Sequence, residues 1–376
     1  MPICAGAPVD RMITRADRIL LVLPSLERGG GEHVLLQLAR SFLAAGREVH
    51  VAALLGGGAL RSDVPDSVVL HELVRPGHAA NGFALARRAF PGLVSLLRAI
   101  KPDAVMSTMT GTNLLTTMAC MLAHGRARLV LREASSIINV RSALKRQAMR
   151  WLYRKADVVV AVSNGVADDL GALGVPSERI RVIHNPVDRE RLRHLASIGP
   201  VVVELEDTPY VIALGRLTAA KDYPTLLQAY AASKLRLSHR LVIVGEGEQR
   251  ATLERMVRDL GISDHVLLPG ALDNPFRILA GAALLVLSSR WEGYPNVLLE
   301  ALALNVPVVS TDCRHGPREL LDDGRYGGLV PVGNSVALAH AMDRYIYPSE
   351  LADAVIAGHN TGLVSSRYLA ALDDDL

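Results

Sequence analysis

Short apolar runs alternate with amphipathic segments along the chain, and this rhythm predicts its strands and helices. Arg18–Leu23 reads RILLVL, a run typical of a buried parallel strand. A glycine-rich stretch follows, and Glu32–Ala45 then has the 3.6-residue period of a helix that Gly46 ends. Glu48–Leu55 is the next strand, so the pattern predicts a strand–helix–strand unit.

The alternation continues to about residue 184 and restarts near residue 210. In the first series the further strands are Asp103–Ser107, Arg128–Leu131, Asp157–Val162 and Arg181–His184, and the further helices are Phe90–Ile100, Asn113–Ala123, Ser142–Lys155 and Gly165–Leu173. The polar stretch Asp188–Thr208 predicts an irregular linker. In the second series the strands are Tyr210–Leu214, Leu241–Val244, His265–Leu268, Ala283–Leu287 and Val306–Ser310, and the helices are Pro224–Ala232, Glu248–Leu260, Asn274–Ala280, Pro295–Leu304 and Ser335–Tyr345.

Two such series predict an α/β protein with two doubly wound parallel sheets that face each other across a cleft. The 376 residues are too many for one ordinary core, so we expect domains at 1–190 and 191–354. In open parallel sheets ligands bind beyond the carboxyl ends of the strands. Residues at those ends are therefore the first candidates for chemistry.

Composition narrows the class of protein. Hydrophobic residues make up 50% of the chain and charged residues 21%, as in globular proteins, and the net charge of +3 gives no sign of nucleic-acid binding. Cys4, Cys120 and Cys313 lie far apart with no CxxC spacing, so neither a disulfide framework nor a metal site is expected. We find no signal peptide or spanning segment, which favours a cytoplasmic protein that is soluble or rests on a membrane surface.

Ser288–Glu300, SSRWEGYPNVLLE, has the densest concentration of candidate chemistry and begins where a predicted strand ends. Gly293 permits close approach to a ligand, and Pro295 suits the first turn of a helix whose free amides would face an anion. Glu292 lies in the loop, and Glu300 is placed to accept hydrogen bonds from two vicinal hydroxyls, as a ribose offers. A charged surface helix after a turn has the same pattern.

Leu214–Asp222, LGRLTAAKD, also follows a strand. Gly215 permits a tight exit, and Arg216 and Lys221 are candidates to clamp a diphosphate and to replace a divalent metal on a leaving group. Two solvent-exposed cations that bind no ligand would show the same sequence pattern. The later VGEGEQ, with Gly245 and Glu246, is a weaker motif that could shape a base pocket.

Two motifs of the first series are candidates for contact with phosphate, sugar or acceptor. Gly30 and Gly31 belong to RGGGE, where a glycine loop at a helix start can lie against a phosphate or sugar; the motif is neither GxGxxG nor a P-loop. Arg132 and Glu133 follow a strand, so a carboxylate there could orient an acceptor hydroxyl or act as its base. A flexible turn and a surface ion pair are the alternatives.

The predicted helix in Arg141–Lys155 is basic and amphipathic. Arg146 and Arg150 lie on one side and Trp151 on another, which suits an anionic lipid or a diphospholipid-linked acceptor. An ordinary helix packed on a sheet fits the pattern as well.

These motifs together resemble the retaining GT-B glycosyltransferases often called glycosyltransferase family 4. The matching pieces are RGGGE (28–32), SNG (163–165), HNPVD (184–188), GRLTAAKD (215–222), VGEGEQR (244–250), EGYPNVLLEA (292–301), VPVVSTDCRHGPREL (306–320) and DGRYGGLV (323–330). The resemblance covers nearly the whole chain in order, and its C-terminal half is the more specific.

The resemblance implies the GT-B fold, two Rossmann-like domains, and roles for single residues. Arg216 and Lys221 would hold the donor diphosphate, Glu292 would touch the transferred sugar, and Glu300 would bind the ribose. The residues after Glu292, namely Gly293, Tyr294, Pro295, Asn296 and Val297, would meet sugar and phosphate. It also implies a last helix, about 355–376, that returns to the first domain. Many relatives carry a histidine where this chain has Arg132-Glu133, so that histidine's role is not assigned here.

We therefore expect a metal-independent, cofactor-free glycosyltransferase that uses a nucleotide diphosphate sugar, and the family implies a UDP-sugar as this donor. The catalytic candidates are Arg216, Lys221, Glu292 and Glu133. The family also implies retention, a saccharide or lipid-linked acceptor, and bacterial polysaccharide assembly. A non-catalytic nucleotide-sugar-binding subunit, an epimerase or phosphorylase of the same fold, and a dinucleotide oxidoreductase remain as alternatives.

Overall fold

The computed structural model of the chain describes residues 15–27, 29–77, 82–137, 140, 142–198, 205, 208–345 and 352–373. The strands described are β1 Arg18–Ser25, β2 Glu48–Leu55, β3 Val69–Val74, β4 Ala104–Thr108, β5 Arg128–Glu133, β6 Val158–Ala161, β7 Ile180–Val182, β8 Tyr210–Leu214, β9 Arg240–Val244, β10 Val266–Gly270, β11 Leu284–Leu287, β12 Val308–Thr311 and β13 Gly328–Val330. The α-helices described are α1 Gly30–Ala44, α2 Gly82–Ile100, α3 Thr110–Ala123, α4 Ala143–Tyr153, α5 Asn164–Leu173, α6 Arg189–Ile198, α7 Tyr223–Ala232, α8 Arg250–Asp259, α9 Phe276–Ala280, α10 Asn296–Ala303, α11 Pro317–Leu320, α12 Ser335–Arg344, α13 Ala352–Gly358 and α14 Thr361–Asp373.

The strands form two sheets, as the alternation predicted. The first sheet has the order β3-β2-β1-β4-β5-β6-β7 and the second β10-β9-β8-β11-β12-β13. In both sheets the central strands pair in parallel, for example Ile19 opposite Val49 and Leu284 opposite Val211. The order reverses beside β1 and beside β8, which is the doubly wound topology. The predicted α/β class with two doubly wound parallel sheets is confirmed.

Near-continuous apolar runs place the central strands inside the sheets. Ile19 to Leu23 in β1 are all completely buried, because helices cover both faces of a parallel sheet. In the second sheet the core contains Val211, Ile243, Leu284 and Val309, each also essentially without exposed surface. The rigid strand ends built on these cores carry the candidate loops.

Contacts divide the chain into two compact units. Unit 1 consists of Met1–Leu131, Lys155–Val158 and Ser365–Leu376, and unit 2 of Arg132–Arg154 and Val159–Val364. The domains expected at 1–190 and 191–354 were drawn from the two series of strands and not from contacts. They remain a prediction.

Several elements differ from those predicted. Part of the expected linker is the helix α6, and β3 was not predicted at all. The helix α2 begins eight residues before the predicted Phe90 and contains Pro91 in its interior. The expected last helix is two helices, α13 and α14. No helix within the described ranges combines the length and the apolar character needed to cross a bilayer.

Candidate active site

An ion pair joins the two motifs that carried the catalytic predictions. Lys221 Nζ lies 2.6 Å from Glu292 Oε1, and Ser289 Oγ donates to the same oxygen at 2.6 Å. Both side chains of the pair are mostly buried, with 21% and 13% of their surface exposed. No hydrogen bond from any described residue reaches Glu292 Oε2. The pair therefore places the Lys221 ammonium group next to a carboxylate oxygen, Glu292 Oε2, that accepts no hydrogen bond from a described residue.

Adjacent strands bring this pair together. The strands β8 and β11 are paired, so the loops that leave their carboxyl ends run side by side. Ser288 Oγ donates to the carbonyl oxygen of Lys221 at 2.7 Å, and Arg290 N donates to that of Ala220 at 2.8 Å. The two loops are thus held together by their backbones as well as by the ion pair.

Two glycines allow the loops after β8 and β9 to touch. A Cβ on Gly245 would lie 2.0 Å from the carbonyl oxygen of Gly215, a distance that no side chain can occupy. Gly215 and Gly245 also have φ of +148° and +150°, which favour glycine. Glu246, the predicted base-pocket residue, forms an ion pair with Arg250 at 2.5 Å. The Glu246 carboxylate is therefore paired with Arg250 at the start of α8.

Residues 293–297, which we call the donor loop, lead into α10. A Cβ on Gly293 would lie 2.1 Å from the carbonyl oxygen of Ala134, so glycine is required there. Pro295 is the N-cap of α10 rather than a residue of its first turn, and Asn296 is the first helical residue. The backbone N–H of Val297 bonds to no described residue. An amide at this helix end faces outward with the positive end of the helix dipole behind it.

Glu300 lies on α10 one turn beyond the donor loop. Desolvation by the surrounding protein raises the pKa of its carboxyl group to about 7. Its carboxylate makes no hydrogen bond or ion pair with any residue that the structure describes. A desolvated acid without a protein partner is suited to accept hydrogen bonds from a ligand.

The second predicted cation, Arg216, follows β8 directly and is exposed. Within the described part of the chain its guanidinium forms no ion pair. Arg216 and Lys221 thus leave the same strand end, one exposed and one paired with Glu292.

The glycine-rich motif of the first series belongs to unit 1. Gly30 and Gly31 are the first residues of α1, whose N-cap is Gly29. A Cβ on Gly29 would lie 2.1 Å from Glu32 Oε2, because that side chain folds back over the helix start. Arg28, the first residue of the motif, lies outside the described residues.

Arg132 and Glu133, for which acceptor-facing roles are predicted, lie in the interior of unit 2. Both side chains are completely buried. Glu133 Oε2 accepts a hydrogen bond from Tyr153 at 2.6 Å, and Glu133 Oε1 accepts one from Ser135 at 2.9 Å. Arg132 Nη2 donates to Asn185 Oδ1 at 2.5 Å. The Glu133 carboxylate thus has no exposed surface and accepts hydrogen bonds at both oxygens, and its action as a base stays a prediction.

The basic helix α4 presents a mixed surface. Met149, Leu152 and Tyr153 are buried beneath it, whereas Leu144 is 82% exposed and Trp151 is 53% exposed. Arg146 and Arg150 are exposed as well. The helix therefore packs on the protein by one face and leaves an apolar and basic face uncovered.

Sequence reasoning missed a group of polar residues around the donor loop. His184 and Tyr294 stack with ring centroids 5.1 Å apart, and Tyr294 is hydrogen-bonded to His359. Asn185 Nδ2 donates to Asn296 Oδ1 at 2.5 Å. The HNPVD motif was the available signal, although no role was drawn from it.

Two family models match the chain one after the other. The model described as Glycosyltransferase Family 4 matches residues 28–191, and the model described as Glycosyl transferases group 1 matches residues 200–358. Together the two models cover the loops after β8, β9 and β11, the donor loop and the glycine-rich motif of the first series.

Curated relatives are glycosyltransferases. The N-acetylgalactosamine-N,N'-diacetylbacillosaminyl-diphospho-undecaprenol 4-alpha-N-acetylgalactosaminyltransferase of Campylobacter jejuni is 29% identical over 69% of this chain and 71% of its own length. The lipopolysaccharide core biosynthesis glycosyltransferase LpsE of Rhizobium meliloti is 32% identical over 59% of this chain and 63% of its own length. The match spans 54% of the length of the N-acetyl-alpha-D-glucosaminyl L-malate synthase of Bacillus anthracis.

Solved structures share the fold. The lipopolysaccharide outer core galactosyltransferase WaaB aligns with a TM-score of 0.70 at 20% identity, covering 95% of this chain and 99% of its own. HepE of Anabaena in complex with UDP and glucose aligns with a TM-score of 0.73 at 19% identity, covering 95% and 98%.

Proposed function

The chain belongs to the glycosyltransferase family whose group 1 and family 4 models it matches, and from this premise we propose its donor, acceptor and mechanism. It transfers a sugar from a uridine diphosphate donor to a saccharide or lipid-linked saccharide, with retention at the anomeric carbon. The observation that carries this proposal is the pair of Lys221 with Glu292 beside the donor loop. HepE, which shares the fold, binds UDP and glucose.

Charge complementarity supports a diphosphate at this strand end. Lys221 has three N–H donors, of which Glu292 takes one. The remaining donors, the exposed Arg216 and the outward amide of Val297 offer positive potential to phosphate oxygens. Glu292 Oε2 accepts a hydroxyl of the transferred sugar, and Glu300 accepts the ribose hydroxyls. Each group of the donor then has a partner from one edge of the second sheet.

The proposed transfer breaks the bond between the anomeric carbon and the diphosphate oxygen. The bonding electrons leave with the diphosphate, and Arg216 and Lys221 stabilise the growing negative charge. The sugar develops cationic character, and the acceptor hydroxyl oxygen forms its bond to the anomeric carbon from the side that the diphosphate leaves. The proton of that hydroxyl passes to the departing diphosphate oxygen. Because two cations perform the task of a Lewis acid, we expect turnover to persist when divalent metal ions are chelated with EDTA.

The names of the relatives support a proposal on the acceptor and the cellular setting. LpsE is named for lipopolysaccharide core biosynthesis, and the Campylobacter enzyme for a diphospho-undecaprenol acceptor. We propose a role in assembling a bacterial surface glycan at the inner face of the cell membrane. Residues 134–156 support contact with an anionic surface, because they contain six basic residues and no acidic one: Arg141, Lys145, Arg146, Arg150, Arg154 and Lys155.

A melting-temperature screen tests the donor. UDP, GDP, ADP and their common sugars are added in turn, and a tight donor at saturation should raise the free energy of unfolding by roughly 3–4 kcal/mol. Stabilisation by UDP and UDP-sugars is expected. A shift with GDP or ADP alone would assign a different base, and no shift with any of them would contradict the proposal.

A transfer assay tests the reaction. The donor that stabilises the protein is supplied with a radiolabelled sugar, with and without a lipid-linked saccharide. Label that moves only when the acceptor is present supports transfer. An altered sugar without acceptor indicates an epimerase, and binding without turnover indicates a donor-binding subunit.

A further inference from the structure

Two neighbouring residues, His184 and Asn185, reach the two ends of the same short segment. Asn185 bonds to Asn296, and His184 stacks on Tyr294, so together they bracket Pro295 in the donor loop. Asn185 is 3% exposed. Its amide therefore forms hydrogen bonds with protein groups rather than with water, and these groups set its orientation.

The charge of Arg132 decides how both asparagines are oriented. A guanidinium has donors only, so the oxygen of Asn185 must face Arg132, 2.5 Å away. This turns the NH₂ group of Asn185 towards Asn296, whose oxygen accepts it at 2.5 Å. The NH₂ group of Asn296 consequently points away from Asn185. A buried cation thus fixes the orientation of the Asn296 amide at the start of α10.

A parallel set of contacts holds the other end of the donor loop. Glu319 Oε1 lies 2.6 Å from His184 Nε2, and Glu319 Oε2 accepts from the backbone N–H of Asn164 at 3.0 Å. His184 held in this way stacks on Tyr294 with its ring 17° from parallel. The Tyr294 hydroxyl is also hydrogen-bonded to His359. Tyr294 is thus fixed by its ring and by its hydroxyl.

We propose that Asn185, oriented by Arg132, is a positioning residue for sugar transfer. It fixes the orientation of the Asn296 amide, and so the position of the donor loop and of the start of α10, against which the phosphate or sugar oxygens of the donor lie. His184, oriented by Glu319, sets Tyr294 in the same way. This inference rests on the proposed function, because it takes the donor loop as the place where the sugar nucleotide binds.

Asn185→Asp separates positioning from stability. Aspartate has nearly the same shape and pairs with the buried Arg132, so the melting temperature should not fall. It has no donor for Asn296, however, and a carboxylate facing the Asn296 oxygen forces that amide to rotate. The dissociation constant for UDP and the KM for the UDP-sugar should rise about tenfold, the factor that one lost hydrogen bond gives. Unchanged UDP affinity in a folded Asn185→Asp variant would overturn the proposal.

A double-mutant cycle tests whether Asn185 acts through Asn296. In an Asn296→Ala background the further loss caused by Asn185→Asp should disappear, because no amide remains to be turned. An equal loss in both backgrounds would show that Asn185 acts otherwise and would contradict the inference. Asn334→Ala is the control, since Asn334 accepts from Ala337 N at 2.9 Å at the start of α12, away from the donor loop. It should lower stability and leave UDP affinity unchanged.

Hydrogen exchange without any nucleotide distinguishes this inference from the proposed function. If the wild-type protein binds none of UDP, GDP and ADP, the proposed donor is wrong whatever Asn185 does. The backbone N–H of Leu298 bonds to the Pro295 carbonyl at 3.0 Å and reports the order of the loop. Asn185→Ala should speed its exchange several-fold relative to Asn334→Ala. Equal exchange rates in the two variants would remove the positioning role.

Discussion

Lys221 serves two partners, and this division gives a prediction for one residue. In the structure it is paired with Glu292, and in the proposed reaction it also meets the departing diphosphate. Lys221→Ala should lower kcat by about 10²- to 10³-fold, since a lost charge contact of this kind is worth roughly 2–4 kcal/mol in the transition state. The rate is measured with saturating donor. Lys234→Ala, which removes an exposed lysine of the same unit, should retain the wild-type rate. A near-normal rate in Lys221→Ala would exclude the clamp.

Glu300 gives a second prediction at this scale, on pH and stability. Burial raises the pKa of Glu300 from its usual 4.5 to about 7, so folding favours the protonated form. Its contribution to the free energy of unfolding is complete below about pH 4.5 and is lost as the pH rises through about 7. Glu300→Gln stays uncharged and should be more stable than wild type at pH 8 by about 1–3 kcal/mol, with little difference at pH 4.5. Urea denaturation at both pH values measures this.

The same variant tests the ribose contact. An ionised Glu300 accepts hydrogen bonds from two hydroxyls, whereas a glutamine amide offers one acceptor oxygen. UDP should bind the wild type more tightly as the pH rises from 6 to 8, and Glu300→Gln should lose this increase while keeping the change that ionisation of UDP itself causes. Glu190→Gln, at an exposed site on α6, is the control. Parallel pH profiles for all three proteins would argue against the ribose role.

At the scale of elements, the apolar runs were the reliable signal. The predicted bounds of β2 and β8 match the structure at both ends, because each is a mostly buried run that glycine ends at its C-terminal side. The helix α6 was missed because four of the ten residues of RERLRHLASI are charged and only Leu192 of the segment is buried. The edge strand β3 was missed because only Val74 of its residues is buried and because His71 and Glu72 interrupt its apolar run.

The candidate site, like the elements, could be predicted from the sequence only in part. Lys221 and Glu292 were predictable because both follow strands that end at one edge of a sheet. The burial of Arg132 and Glu133 was not, because charged residues usually lie at the surface and the partners that permit burial are distant in sequence. Asn185 is 53 residues from Arg132 and 111 from Asn296, so no local pattern reveals the contacts among them.

The helix α4 carries the prediction on membrane contact. Its exposed face combines Leu144 and Trp151 with arginines, which suits the boundary between lipid headgroups and acyl chains. The double variant Arg146→Glu, Arg150→Glu should weaken binding to vesicles containing phosphatidylserine by at least about tenfold, since each basic residue near such a surface contributes about 1 kcal/mol. Vesicle flotation at low salt measures the bound fraction.

A charge-matched control shows whether position matters or only net charge. Arg255→Glu together with Arg258→Glu reverses two exposed arginines on α8 and changes the net charge equally. This variant should still float with the vesicles. If both double variants lose binding alike, the attraction is unspecific. If the wild-type protein does not float at low salt, membrane contact through α4 is excluded.

At the scale of the whole molecule, the last described helix closes onto the beginning of the chain. Asp373 of α14 forms an ion pair with Arg47, whose Nη2 lies 2.6 Å from Asp373 Oδ2, and the backbone N–H of Ala16 donates to Asp373 Oδ1 at 2.8 Å. Arg47 also donates to the carbonyl oxygen of Ala16 at 2.9 Å. Segments 357 residues apart in sequence therefore share one buried polar cluster within unit 1.

This cluster predicts that a change near the C-terminus destabilises the N-terminal sheet. The side chains of Arg47 and Asp373 are only 8% and 14% exposed, so Asp373→Ala leaves a buried guanidinium without its counter-charge. The free energy of unfolding should fall by about 3 kcal/mol, as when one partner of a buried pair is removed. The pair of Arg15 with Asp17 in the same unit is 57% and 73% exposed, so Asp17→Ala should have no measurable effect. Urea denaturation followed by the exchange of β1 amides distinguishes the two. Equal stability of the variants would mean that α14 is held by its apolar contacts alone.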